Sequence, residues 1–169
     1  MTQMSDAQRS TAGVYQGASG RTYHDFEPGT TLRHKPGRTI TETDNIWFTL
    51  LTMNTHPLHF DSEYAATSQF GQPLVNSCLT LSMVTGISVA DVSQGAIANL
   101  GWDNVRLMAP VFVGDTIYAE TDVLEKRLSK SKAGQGIVSV RTRGFKADGT
   151  VFMEFDRNIL VPVLEEGDG

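Results

Sequence analysis

Residues 76–89 constrain the fold most: Cys78, Leu79, Leu81, Met83, Val84 and Ile87 point in most directions around a helix, and the residues between them are small. A helix that is apolar nearly all round has no face to offer water and must be covered. The chain that follows can cover it. Residues 104–107, 115–124, 136–146 and 150–161 are rich in β-branched side chains, and Ile117, Ala119, Thr121 and Val123 alternate with Tyr118, Glu120 and Asp122. Gly114-Asp115, Gly134-Gln135-Gly136 and Asp148-Gly149 punctuate the run, the last as a two-residue hairpin turn. One such helix followed by antiparallel strands predicts an α+β domain whose sheet curls around a long buried central helix. An open edge of that sheet invites a second chain, so a homodimer or higher homo-oligomer is expected.

The amino-terminal half supplies shorter pieces. Pro28-Gly29 and Pro36-Gly37 bracket an edge strand around Leu32, and Thr43 is placed to cap a helix that turns Ile46, Trp47, Leu50 and Leu51 inward and ends by Met53. Pro57 keeps residues 54–59 in a loop, and Asp61 or Ser62 starts a short helix over residues 63–69. Residues 1–20 read as a flexible lead without an apolar signal core, 21–163 as one domain and 164–169 as a flexible acidic tail.

Composition excludes several function classes. At 169 residues, 40% of them apolar and 20% charged, the chain has the make-up of a soluble globular domain that needs no disulfides. A net charge of -5 opposes binding to nucleic acid. No apolar run reaches the roughly 20 residues that span a bilayer, so no membrane partner is expected. The lone Cys78 cannot form an internal disulfide; it reads as core, and the cytoplasm is the expected compartment.

Chemistry concentrates on the loop. Of four histidines, His24, His34, His56 and His59, the last two lie three apart beside Asn54 and Asp61. A metal site is disfavoured, because His-x-x-His interrupted by proline lacks helical register and no third ligand stands at a suitable spacing. A surface loop with incidental polar residues remains one reading. Acid/base catalysis is the other, since histidine titrates near neutrality and can both take and give a proton. The start of the apolar helix, at Asn76-Ser77-Cys78, offers backbone N–H groups that would stabilise a developing oxyanion, although Asn76 and Ser77 serve equally as helix caps.

The run Asn54-Thr55-His56-Pro57-Leu58-His59-Phe60-Asp61, with Tyr64-Ala65 behind it, resembles the hydratase motif of MaoC-like dehydratases and R-specific enoyl-CoA hydratases, which reads Asp-x-Asn-Pro-x-His. The likeness continues through Phe70-Gly71-Gln72-Pro73-Leu74-Val75 and through residues 109–116, covering about residues 38–161. It implies a hot-dog fold and addition or removal of water across the C2–C3 bond of an acyl-CoA. Position by position, His59 matches the catalytic histidine, Asn54 stands where the family has aspartate, and His56 where it has asparagine. An amide cannot take a proton, so His59 would carry the proton transfers and Asn54 would orient it. His56 would either titrate as a second group or hold the loop, and the Ser77 backbone N–H would be the oxyanion donor.

The resemblance implies no cofactor beyond the coenzyme A of the substrate. Lys126-Arg127 and Lys130-Ser131-Lys132 form the most basic cluster, so Lys130 and Lys132, with Arg106, Arg141 and Arg143, are candidates for its phosphates or for a substrate carboxylate, against the plainer reading of a solvated hairpin tip. The motif variant resembles members acting on branched or dicarboxylic acyl-CoAs such as mesaconyl-CoA or itaconyl-CoA. A hot-dog acyl-CoA thioesterase and a non-catalytic acyl-CoA-binding module are the competing readings.

Overall fold

The computed structural model describes residues 20–164, so the lead and most of the tail expected from the sequence lie outside the described residues. Two short strands, β1 (Thr31–Arg33) and β2 (Arg38–Thr39), precede α1 (Glu42–Leu51), α2 (Ser62–Ala66) and α3 (Ser77–Ser88). Four long strands complete the chain: β3 (Ala98–Leu107), β4 (Thr116–Leu128), β5 (Gln135–Lys146) and β6 (Val151–Pro162). They form one antiparallel sheet in the order β1-β4-β5-β6-β3, with β2 also on β4, and the sheet wraps α3 as a hot-dog fold. None of the described helices is long and apolar enough to cross a membrane.

Alternation in β4 does what the sequence predicts: Ile117, Ala119, Thr121 and Val123 are each no more than 2% exposed. Ile117 and Ala119 cluster with Leu79 and Val84 of α3 and with Phe152 and Phe155, while Val123, Val138, Val140 and Ile159 form a second cluster with Phe26 and Val92. Each large apolar side chain buried there contributes about 1.5–3 kcal/mol. Gly149, at φ 87°, takes the left-handed conformation that the Asp148-Gly149 hairpin turn demands.

Three differences from the sequence reading have local causes. The cap of α1 is Thr41, not Thr43: the Thr41 hydroxyl accepts the Asp44 N–H while the Asp44 carboxylate accepts the Thr41 N–H. Its inward face is Asn45, Phe48 and Thr49, leaving Trp47, Leu50 and Leu51 exposed at 66%, 57% and 77%. Second, α3 is covered from one side only. Leu79, Thr80, Val84 and Ser88 are buried, whereas Cys78, Ser82, Gly86 and Ala90 form an exposed stripe, so Cys78 is not a core residue. Third, β3 begins at Ala98, six residues earlier than its β-branched content announces, because two register shifts, at Asn99/Gly101 and Asp103/Arg106, erase the alternation.

The buried polar side chains include His34 and Arg157. His34 is buried between Asp91 and Thr121; its Nδ1–H donates to the carboxylate at 2.8 Å and its Nε2 lies 2.7 Å from the hydroxyl. This clasp holds the loop after β1 to the π-helical turn Val89–Ser93 that ends α3. Arg157, 1% exposed, donates from its Nη2 to the Ser88 hydroxyl at 2.7 Å, while its Nε has no partner among the described residues.

Candidate active site

The loop after α1 is shaped by its own polar atoms. Asn54 Oδ1 accepts the His56 N–H at 3.0 Å, and His56 Nδ1 accepts the Leu58 N–H at 3.2 Å, opening a 3₁₀ turn, Pro57–His59. Thus His56 holds the loop. Asn54 turns its carbonyl oxygen toward the main chain of its own loop instead of orienting His59, because that N–H is two residues away and already in reach. The His56 and His59 rings stand 6.0 Å apart, centre to centre.

His59 is oriented by a main-chain group. Its Nδ1 lies 2.8 Å from the Leu74 carbonyl oxygen. A carbonyl only accepts, so Nδ1 carries the proton and the neutral ring presents an unprotonated Nε2. The ring lines a polar cavity of about 310 Å³, together with Glu42, Asn45, Ser62 and Gln72. Glu42 is the one carboxylate among its lining residues.

On the other side of residues 72–75 lies an apolar cavity of about 280 Å³, walled by Phe70, Val75, Met108, Pro110 and Phe152, with Ser77 at its edge. Ser77 N–H is the first amide of α3 and has no intrahelical acceptor. The next amide, of Cys78, is taken by Asn76 Oδ1 at 3.0 Å. The positive end of the helix dipole therefore opens beside the apolar cavity, where it favours negative charge. His59 and Ser77 line different cavities, joined through Leu74: its side of the chain walls the second, and its carbonyl holds the His59 ring.

The basic candidates stand elsewhere. Lys130 and Lys132 are exposed in the β4–β5 turn, about 40 Å from the start of β4 for a strand of 13 residues. Arg141 lies on the face of β5 opposite Val140 and Thr142, its guanidinium bidentate to Asp156 at 2.7 and 2.9 Å. The same two hydrogen bonds hold the Asp156 carboxyl below its ordinary value, against burial, and push Arg141 up. Arg106 is exposed on β3 opposite Glu154, and Arg143 pairs with Glu120 and Asp122. Among the described residues, no group of three or more His, Cys, Asp or Glu side chains could hold a metal ion.

Sequence reading missed Asn45, Glu42 and Arg157. No local signal marked Asn45: residues 45 and 49 share a helix face, but it is the polar one, opposite Trp47 and Leu51.

The family model described as a MaoC like domain matches residues 25–144. The chain is 32% identical over 143 residues to a mesaconyl-CoA hydratase of Cereibacter sphaeroides, covering 85% of this chain and 41% of that protein. In structure it is similar to a putative MaoC domain protein dehydratase from Chloroflexus aurantiacus, with a TM-score of 0.82, 31% identity, and coverage of 89% of this chain and 42% of that one. A monoamine oxidase regulatory protein from Archaeoglobus fulgidus matches with a TM-score of 0.77 and 29% identity, covering 88% of this chain and 98% of that one. The chain thus spans about two fifths of the curated relatives that head the comparison.

Proposed function

The chain belongs to the MaoC-like dehydratase family, and from that premise we propose that it adds or removes water across the C2–C3 bond of an acyl-CoA, with His59 as acid and base. The observation that carries this reading is the Nδ1 hydrogen bond to Leu74, which leaves Nε2 of the neutral ring free to take a proton. In hydration, Nε2 removes a proton from water as its oxygen bonds C3. The electron pair of the double bond moves through C2 onto the thioester oxygen, which the Ser77 N–H stabilises. The imidazolium then returns a proton to C2 as the carbonyl re-forms. Dehydration is the reverse. This reading gives no part to Lys130, Lys132, Arg106 or Arg141: the lysines are exposed in the β4–β5 turn, Arg106 is exposed on β3, and Arg141 is paired with Asp156.

We assign the apolar cavity to the acyl group. Its walls, Phe70, Met108 and Phe152, fit a short branched chain, and no cationic side chain lines it. Uncharged crotonyl-CoA suits that lining best, and mesaconyl-CoA, whose second carboxylate meets no cation there, is tested beside it because the relative from Cereibacter sphaeroides bears that name. Incubation with mesaconyl-CoA, itaconyl-CoA and crotonyl-CoA should give a product heavier by one water, read by mass spectrometry, with no free thiol. Thiol release without water addition would instead establish a thioesterase, and tight binding without turnover a binding module.

The reading includes a second copy of this chain. β3 is an open edge of the sheet, opposite the short strands β1 and β2, and Leu100, Trp102, Val105 and Leu107 on it are exposed. Such an edge pairs with another strand or aggregates. Light scattering at about 50 μM, above the affinity expected of a standard interface, should give a particle of twice 18.5 kDa. A monomer at that concentration would refute the pairing.

A further inference from the structure

His59 lacks the carboxylate that its family places five residues before it, and Asn54, which stands there, is engaged with the His56 N–H. Something else must fix the ring. Asn45 is 1% exposed, on the inner face of α1, and every hydrogen-bonding group of its amide is used between separate segments. Its Nδ2 donates to the carbonyl oxygens of His59, at 2.8 Å, and of Leu74, at 3.2 Å. Its Oδ1 accepts the Asn76 N–H at 2.8 Å. Carbonyl oxygens only accept and the main-chain N–H only donates, so the amide has one workable orientation.

We propose that Asn45 is the positioning residue of this site, setting the tautomer and direction of His59 and its distance from the Ser77 amide. The inference rests on the assignment of His59 as acid/base. The Leu74 carbonyl oxygen has two lone pairs, and both are taken: one by Asn45, the other by His59 Nδ1. Asn45 therefore holds the very group that holds the ring. It also grips the main chain of His59 directly. Through Asn76, whose side chain caps α3 and also reaches the Thr49 hydroxyl at 3.3 Å, the same amide anchors the start of the helix that presents Ser77. One side chain thus joins base and oxyanion donor in a single frame, the task a neighbouring carboxylate would only half perform.

The test uses the full chain labelled with ¹⁵N-histidine. In the wild type at neutral ring charge, His59 should give a protonated Nδ1 and an unprotonated Nε2. Asn45→Leu, close in shape but without hydrogen bonds, should shift these resonances toward a mixture of tautomers. It should also lower kcat by about 10- to 100-fold with KM changed less than threefold, as expected for a misplaced catalytic group. Asn45→Asp keeps the acceptor for Asn76 and loses both donors; it should show the same tautomer change, and it serves if the leucine variant fails to fold. A folded variant with wild-type His59 resonances, or with kcat within twofold of wild type, overturns the proposal. If the resonances shift as expected while the wild type hydrates no acyl-CoA, the positioning role stands and the hydratase reading falls.

Discussion

Replacing His59 with alanine is expected to lower the rate of water addition by about 10²- to 10⁴-fold, the usual contribution of a positioned acid/base, with little change in thermal stability. The ring is half-buried, and its one side-chain hydrogen bond is that from Nδ1 to the Leu74 carbonyl. Losing such a bond costs about 1 kcal/mol, while Asn45 still satisfies the same carbonyl. Activity and stability should therefore separate. His59→Gln sharpens the test, because its amide can still donate to Leu74 but cannot titrate. Either variant turning over within tenfold of wild type would remove His59 from the chemistry. Loss of folding in both would mean that the residue is a structural tie.

Replacing Arg157 with methionine is expected to raise Tm by about 2–6 °C, taking roughly 2–4 °C per kcal/mol for a chain of this size. Burial pushes the guanidinium pKa down to about 10, and at pH 7 the group keeps its charge. At pH 7 the cost of taking that charge out of water is therefore present in full. Against it stand one hydrogen bond to Ser88 and a position 5.7 Å from the Phe155 ring centre. Methionine would fill most of the space without the charge, and the Ser88 hydroxyl would keep its bond to the Thr85 carbonyl at 2.7 Å. The measurement is a thermal melt at pH 7. A fall in Tm would show that the charge is compensated in the assembled protein, and the desolvation argument would fail.

Much of this was legible in the chain. Strand alternation at Ile117, Ala119, Thr121 and Val123 reports a surface with one dry face, and α3 declares itself by having no wide polar face. Local patterning works where burial follows a fixed period. It fails where polar atoms carry the packing. Asn45 and Thr49 sit inside α1 because partners from Leu74 and Asn76, about thirty residues away, satisfy them, and no local window holds that fact. Trp47 and Leu51 then face outward as a consequence. His59 stood out in the sequence as a candidate, but its orientation did not, since the group that orients it is a backbone carbonyl, which every residue has.

The order of elements along the chain also fixes an order of events. α3 leaves the ribosome well before β4, β5 and β6, the strands that cover it, and at about 5–20 residues per second it spends several seconds without them. β1 waits longer: Thr31 pairs with Asp122, 91 residues further on. β3 can pair only once β6 exists. The hairpins of β4, β5 and β6 are local and close quickly, whereas the helix must find them across the chain. The apolar helix is thus a nascent-chain liability until β6 has been made.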